Sequence, residues 1–110
     1  LIKKENGKLD WTKSGHQIEL CVRAFEPWPG SFTTTSVGRL KLKKVKFYAS
    51  LKGMPESAKP GEISTELGTL FVRCRDGWIE LLKVQPEGKK SMDIRDFLNG
   101  IRVPSELAIR

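Results

Sequence analysis

Two hydrophobic periods run along this chain, and the switch between them divides it. Ile18, Cys21, Val22 and Phe25 fall at i, i+3, i+4 and i+7 with Glu19, Arg23 and Glu26 between them, which predicts the apolar face of a helix. Ser14 and Gln17 have the spacing of a capping box at its start. Pro27 ends it, ahead of a stiff turn at Trp28-Pro29-Gly30. Leu9 and Trp11 anchor the approach to the helix, and Trp28 reads as a core anchor rather than a ligand platform. From Arg39 to Lys52 the period becomes two. Leu40 and Leu42 share one parity and Val45, Phe47, Ala49 and Leu51 the other, so the phase slips at Lys43-Lys44 as at a β-bulge.

After a Gly/Pro/Ser-rich loop from Gly53 to Pro60, Gly61 and Glu62 lead into a short strand around Ile63. Asp76-Gly77 predicts a hairpin turn with positive φ at both central residues. Folding there sets Cys74 opposite Ile79, Val72 opposite Leu81 and Arg73 opposite Glu80, the last as an ion pair on the polar face. Leu81, Leu82 and Val84 continue as a buried strand, Pro86 ends it, and Gly88 turns the chain. Ile94, Phe97 and Leu98 share a face of a closing helix from Asp93 to Asn99, ended by Gly100. Short strands between two helices predict a small β-barrel with helical flanks. Residues 1–8 read as the end of an interdomain linker, 9–103 as one domain and 104–110 as a tail; Ile101 to Arg110 carry no predicted element.

Composition narrows the function classes. A chain of 110 residues, 38% hydrophobic, fits one domain, and no apolar run approaches bilayer-spanning length. It begins at Leu1, which suggests a piece of a longer protein. Cys21 and Cys74 sit in apolar settings without C-x-x-C spacing, so reduced core thiols of a cytoplasmic protein are expected. His16 is the single histidine and lacks neighbours at metal-ligand spacing. Gly88-Lys89-Lys90-Ser91 has a P-loop flavour but lacks the upstream glycine, Lys83 standing in its place, and no hydroxyl residue follows the first lysine directly. There is no G-x-S-x-G elbow, and Asp93 and Asp96 suit the first turn of a helix better than acid–base work. Nothing reads as an active site.

Charge is the feature that remains. Twenty Lys+Arg against thirteen Asp+Glu give +7, which favours an anionic partner. Arg39, Lys41, Lys43, Lys44, Lys46 and Lys52 lie in or beside one strand with no acid among them. Arg73, Arg75, Lys83, Lys89 and Lys90 add to them from later strands and the corner. Lys89 and Lys90, expected just before a helix N-terminus, could seat a phosphate oxygen; a solvated loop is the other reading. The strand lysines are likewise either a phosphate-contacting face or an ordinary basic surface. Exposed aromatics are few, Trp78 and Tyr48 aside, which favours backbone contact with folded nucleic acid over stacking of single strands.

Three blocks together resemble the C-terminal domain of the methionyl-tRNA formyltransferase family. They are Lys8-Leu9-Asp10-Trp11 with Arg23 to Gly30, then Lys59-Pro60-Gly61-Glu62-Ile63, then Leu82 to Met92 with Asp96-Phe97-Leu98-Asn99-Gly100. The Gln-Pro-x-Gly-Lys-Lys corner at Gln85 to Lys90 is the most specific, and the likeness is weakest between Ser31 and Ser57. The resemblance implies an OB-like open β-barrel, mainly β with flanking helices, that offers a basic face to initiator methionyl-tRNA. It also implies an N-terminal catalytic domain elsewhere in the parent chain, which would transfer a formyl group from 10-formyltetrahydrofolate to the amino group of methionine. This chain would then be non-catalytic, without cofactor or metal, monomeric and not membrane-bound. The linker lysines Lys3, Lys4 and Lys8 fit the basic linker of that family. Lys41, Lys43, Lys44, Lys46, Lys89 and Lys90 are the expected phosphate contacts. Two alternatives stay open: a structural domain of a related sugar-nucleotide or folate-dependent formyltransferase, and a single-strand binder of OB type.

Overall fold

The computed structural model describes residues 7–26 and 30–110. Its elements are α1 (Gly15–Ala24), β1 (Ser31–Thr35), β2 (Gly38–Tyr48), β3 (Ile63–Ser64), β4 (Leu70–Cys74), β5 (Gly77–Pro86), β6 (Met92–Asp93) and α2 (Ile94–Asn99), then a 3₁₀ turn at Pro104–Glu106. The strands form one six-stranded sheet in the order β1-β2-β5-β4-β3, with β6 also paired to β5. All pairings are antiparallel. The fold is mainly β with flanking helices, an OB-like open barrel, as the sequence predicts.

Helix α1 forms where its periodicity places it. Ser14 caps it by accepting from Gln17 N at 3.2 Å, while Gln17 Oε1 accepts from Ser14 N at 3.2 Å, so the capping box closes both ways. Ile18 and Val22 are buried, each worth about 1.5–3 kcal/mol in transferred apolar surface. Glu19 uses its carboxylate differently, accepting a hydrogen bond from the backbone of Phe47 at 2.7 Å. Strand β1 pairs only with Leu42 and the residues before it on β2, so α1 satisfies an edge that β1 leaves open. The proline stop at Pro27, the anchor Trp28 and the linker lysines Lys3 and Lys4 lie outside the described residues.

The bulge falls where the phase slip predicts it. Leu42 faces Val84 and Val45 faces Leu81, while Lys44 faces Lys83 between two register shifts. Leu42 and Val45 both join the core cluster, although three positions apart they could not do so on a regular strand.

The hairpin register differs from expectation. Cys74 faces Gly77, Arg73 faces Trp78 and Val72 faces Ile79, so the two-residue connection is Arg75-Asp76 and not Asp76-Gly77. No described non-glycine residue has positive φ, and neither does Gly77. Gly77 is needed inside the strand, because a Cβ there would collide with the Tyr48 carbonyl oxygen of β2. Asp76, freed from the strand, accepts from Gly15 N at 2.9 Å and ties the hairpin to the start of α1. The shift conserves parity, so Val72, Cys74, Ile79 and Leu81 still face the core. The Arg73–Glu80 ion pair does not form. Glu80 instead accepts from the Tyr48 hydroxyl at 2.9 Å, and the Arg73 guanidinium lies 5.9 Å from the centre of the Trp78 ring.

Strand β1 has no counterpart in the sequence reading, and its inner face explains why. Ser31, Thr33 and Thr35 are 0%, 2% and 4% exposed, so hydroxyls point where an apolar alternation would be expected. Each hydroxyl is paired. Ser31 donates to the Cys21 carbonyl at 3.1 Å, Thr33 accepts from Trp11 Nε1 at 3.0 Å, and Thr35 donates to the Gly38 carbonyl at 2.7 Å. The segment after Gly100 also packs against β1. Leu107 is buried, Ile109 bridges Thr35, and Arg110 N donates to the Thr34 carbonyl at 2.7 Å.

Two outcomes follow for stability. Gly77→Ala loses about 1–3 kcal/mol in a urea unfolding experiment, since the opposing atom is backbone and cannot swing away. Asp76→Ala loses about 1 kcal/mol at neutral pH. The Gly15 N–H holds the Asp76 carboxyl below its usual range, so the native contribution is complete above the unfolded-state pKa of about 4. It fades as pH falls through the lower folded-state pKa, and the two proteins converge in urea midpoint only in strong acid.

Candidate nucleic-acid interface

The cations singled out by sequence lie on β2 and the loop after β5, and antiparallel pairing of β2 with β5 brings part of the two groups together. Arg39 and Lys41 start β2, and their neighbours are Pro86, Glu87 and Gln85 at the end of β5. Lys41 faces Gln85, and Glu87 N donates to the Arg39 carbonyl at 3.2 Å. Gly88, at φ +76°, turns the chain; Lys89 N bonds back to the Pro86 carbonyl at 3.0 Å and Gln85 Nε2 to the Lys89 carbonyl at 2.9 Å. The corner is thereby held against the start of β2.

Its relation to α2 is not the expected one. Met92 and Asp93 pair with Val84 and Lys83 as β6, so Lys89 and Lys90 stand in a hairpin loop. The helix begins only at Ile94, with Asp93 as its N-cap and Asp96 in its first turn, both negative. A phosphate seat on that helix end, one reading of the sequence, is displaced by the added strand. Lys89 and Lys90 are nevertheless exposed on the loop.

The six lysines are not equivalent. Lys43 Nζ is 3.0 Å from Glu26 Oε1, with both side chains about three-quarters buried, so it is committed to the turn that follows α1. Lys44 is exposed and faces exposed Lys83, a like-charge cross-strand pair whose members repel. Lys83 also has Asp93 across from it on β6, without an ion pair inside 4.0 Å. Lys46 is exposed, its Nζ 5.0 Å from the centre of the Tyr48 ring. Lys41 is half-buried, its stem lying over Gly30. Lys43–Glu26 is the single ion pair among the described residues, so the other β2 cations have no carboxylate partner there.

Sequence reasoning counted Arg39 and Lys83 in the charge but not among the contacts. Arg39 Cζ lies 4.1 Å from the centre of the Phe32 ring, held by an aromatic on a strand that hydrophobic periodicity could not detect. The signal for Lys83 lay in the bulge, because the slip that moves Val45 inward also brings Lys44 level with it.

Nucleophilic or acid–base chemistry finds little support. Burial pushes the Cys74 thiol up, away from the thiolate form. Burial, then the bond to Glu80, likewise raises the Tyr48 phenol. His16 packs edge-on against Phe47, ring centres 5.2 Å apart. Among the described residues no three His, Cys, Asp or Glu side chains cluster in a metal-binding arrangement, and no helix is long and apolar enough to cross a membrane.

Comparison with known proteins places these features. The chain is 42% identical over 108 residues to a methionyl-tRNA formyltransferase of Methylacidiphilum infernorum, covering 93% of this chain and 32% of that protein. It is 38% identical over 104 residues to the methionyl-tRNA formyltransferase of Geobacter metallireducens, covering 94% and 32%. The chain therefore spans about a third of the length of the curated relatives it matches. Among solved structures, HypX from Aquifex aeolicus superposes with a TM-score of 0.68 at 19% identity, covering 91% of this chain and 18% of that one. That likeness concerns the fold. The family model described as formyl transferase, C-terminal domain, matches residues 1–102, and the chain belongs to that family.

Proposed function

We propose that this chain is the tRNA-binding C-terminal domain of a methionyl-tRNA formyltransferase. In this reading a separate N-terminal domain of the same protein transfers the formyl group of 10-formyltetrahydrofolate to the methionine amino group of initiator methionyl-tRNA. The present chain contributes affinity and orientation and holds neither cofactor nor catalytic residue; it acts as a monomer in the cytoplasm. The observation that carries the reading is the 42% identity to a protein of that name over 93% of this chain. The row of β2 cations without carboxylate partners agrees with it, since phosphate contacts displace counterions and need charge that is not already spent.

Lys41, Lys44, Lys46, Lys89 and Lys90 are the lysines available for such contacts. Lys43 has a structural bond to release first.

A salt titration of tRNA binding tests the proposal. The expected affinity is micromolar or weaker and falls steeply with salt. Replacing Lys44, Lys46, Lys89 and Lys90 by Ala flattens the plot of log affinity against log salt, by about one unit of slope for each phosphate contact removed. Lys43→Ala changes the slope by much less than Lys44→Ala and lowers thermal stability instead. Absence of binding at low salt would overturn the proposal in favour of a structural domain of a sugar-nucleotide or folate-dependent formyltransferase. Preference for unstructured oligonucleotides would point to a single-strand binder.

A further inference from the structure

Where β1, β2 and the end of β5 meet, a cleft of about 190 Å³ is lined by Phe32, Arg39, Lys41, Gln85, Pro86, Glu87 and Gly88. We infer that this cleft is a discrete seat for one backbone phosphate of the bound RNA, with Arg39 and Lys41 as its two cationic arms. The inference rests on the tRNA-binding reading and adds to it a fixed point on an otherwise diffuse basic face.

Three observations carry it. Arg39 and Lys41 are two residues apart on β2, so both project to the same side of the sheet, and Lys41 faces Phe32 on β1 and Gln85 on β5. Both cations are also held. Phe32, 7% exposed, lies beneath the Arg39 guanidinium, its ring centre 4.1 Å from Cζ, and the side chain is exposed on its other sides, where N–H donors can meet an oxygen. Lys41 runs across Gly30, where a Cβ would stand 2.9 Å from Lys41 Cε; Gly30 at φ +83° supplies both the turn and the room. Finally, the cleft is smaller than the roughly 300–1,000 Å³ of sites that enclose a free small molecule, so it suits one group projecting from a larger one.

Glu87 lines the same cleft. Its carboxylate opposes an anion in the seat, and this gives the inference an unusual handle: removing it should tighten binding. Gln85 is occupied, since Nε2 already donates to the Lys89 carbonyl at 2.9 Å. It shapes the wall without offering that donor to a ligand.

The test is tRNA binding by this chain at fixed low salt and across a salt series, with Arg39→Lys, Glu87→Gln and Lys59→Ala beside the wild type. Arg39→Lys keeps the charge and loses the planar fork, so affinity falls about tenfold while the salt slope stays near the wild-type value. Glu87→Gln binds severalfold more tightly, a gain that misfolding cannot produce. Lys59→Ala, on the exposed loop after β2, serves as the comparison for loss of one remote charge. Wild-type affinity in Arg39→Lys, or an unchanged affinity in Glu87→Gln, overturns the phosphate seat and leaves the tRNA-binding reading standing. Failure of the wild type itself to bind tRNA at low salt overturns both.

Discussion

The pairing of β2 with β5 is the constraint on which the rest depends. It runs from Leu40–Pro86 to Tyr48–Trp78, with one irregularity at Lys44–Lys83. Strands β1 and β4 add to its two sides, α1 lies along the edge that β1 leaves bare, and β6 closes back on β5. Gly77 belongs to this constraint, since it lets the β5 backbone approach Tyr48 where any side chain would block contact. A small barrel has few layers to share strain among, so one long ladder with a single bulge sets both curvature and register.

That ladder also organises the surface charge. The run from Arg39 to Lys46 looks uniform in sequence, but the bulge and the neighbours sort it. Lys43 is drawn to Glu26, Arg39 lies over the Phe32 ring, Lys41 is folded over Gly30, and Lys44 and Lys46 remain exposed. Net charge predicts attraction to an anion, whereas the distribution of partners decides which cations can answer it. Restraint of Arg39 and Lys41 matters here because a side chain already ordered loses less entropy when it binds.

Much of this was legible in the residues. The capping box at Ser14 and Gln17, the apolar face of α1, the phase slip at Lys43-Lys44 and the stop at Pro86 are local signals, and each appears where expected. What escaped was non-local or chemically disguised. Strand β1 turns hydroxyls inward, so its buried face reads as polar. The hairpin register depended on the close approach of Gly77 to Tyr48 on β2, where a Cβ would collide, and no turn rule contains that. The meeting of Arg39 and Lys41 with the Gln85–Gly88 corner required the β2–β5 register, and the family resemblance, strong at the corner, was weakest along β1 and β2.

Strand β1 receives two additions from outside the named strands, one early in the chain and one late: Lys8 bridges Phe32, and Ile109 bridges Thr35. Segments from the two ends of the described chain thus meet on one strand, through Leu9 N to the Phe32 carbonyl at 2.9 Å and Arg110 N to the Thr34 carbonyl at 2.7 Å, and each also sends side chains into the core, Leu9 and Trp11 from the first and Leu107 from the last. Fraying of either segment would therefore expose buried apolar surface as well as break backbone bonds, so β1 is held by packing from both directions of the sequence.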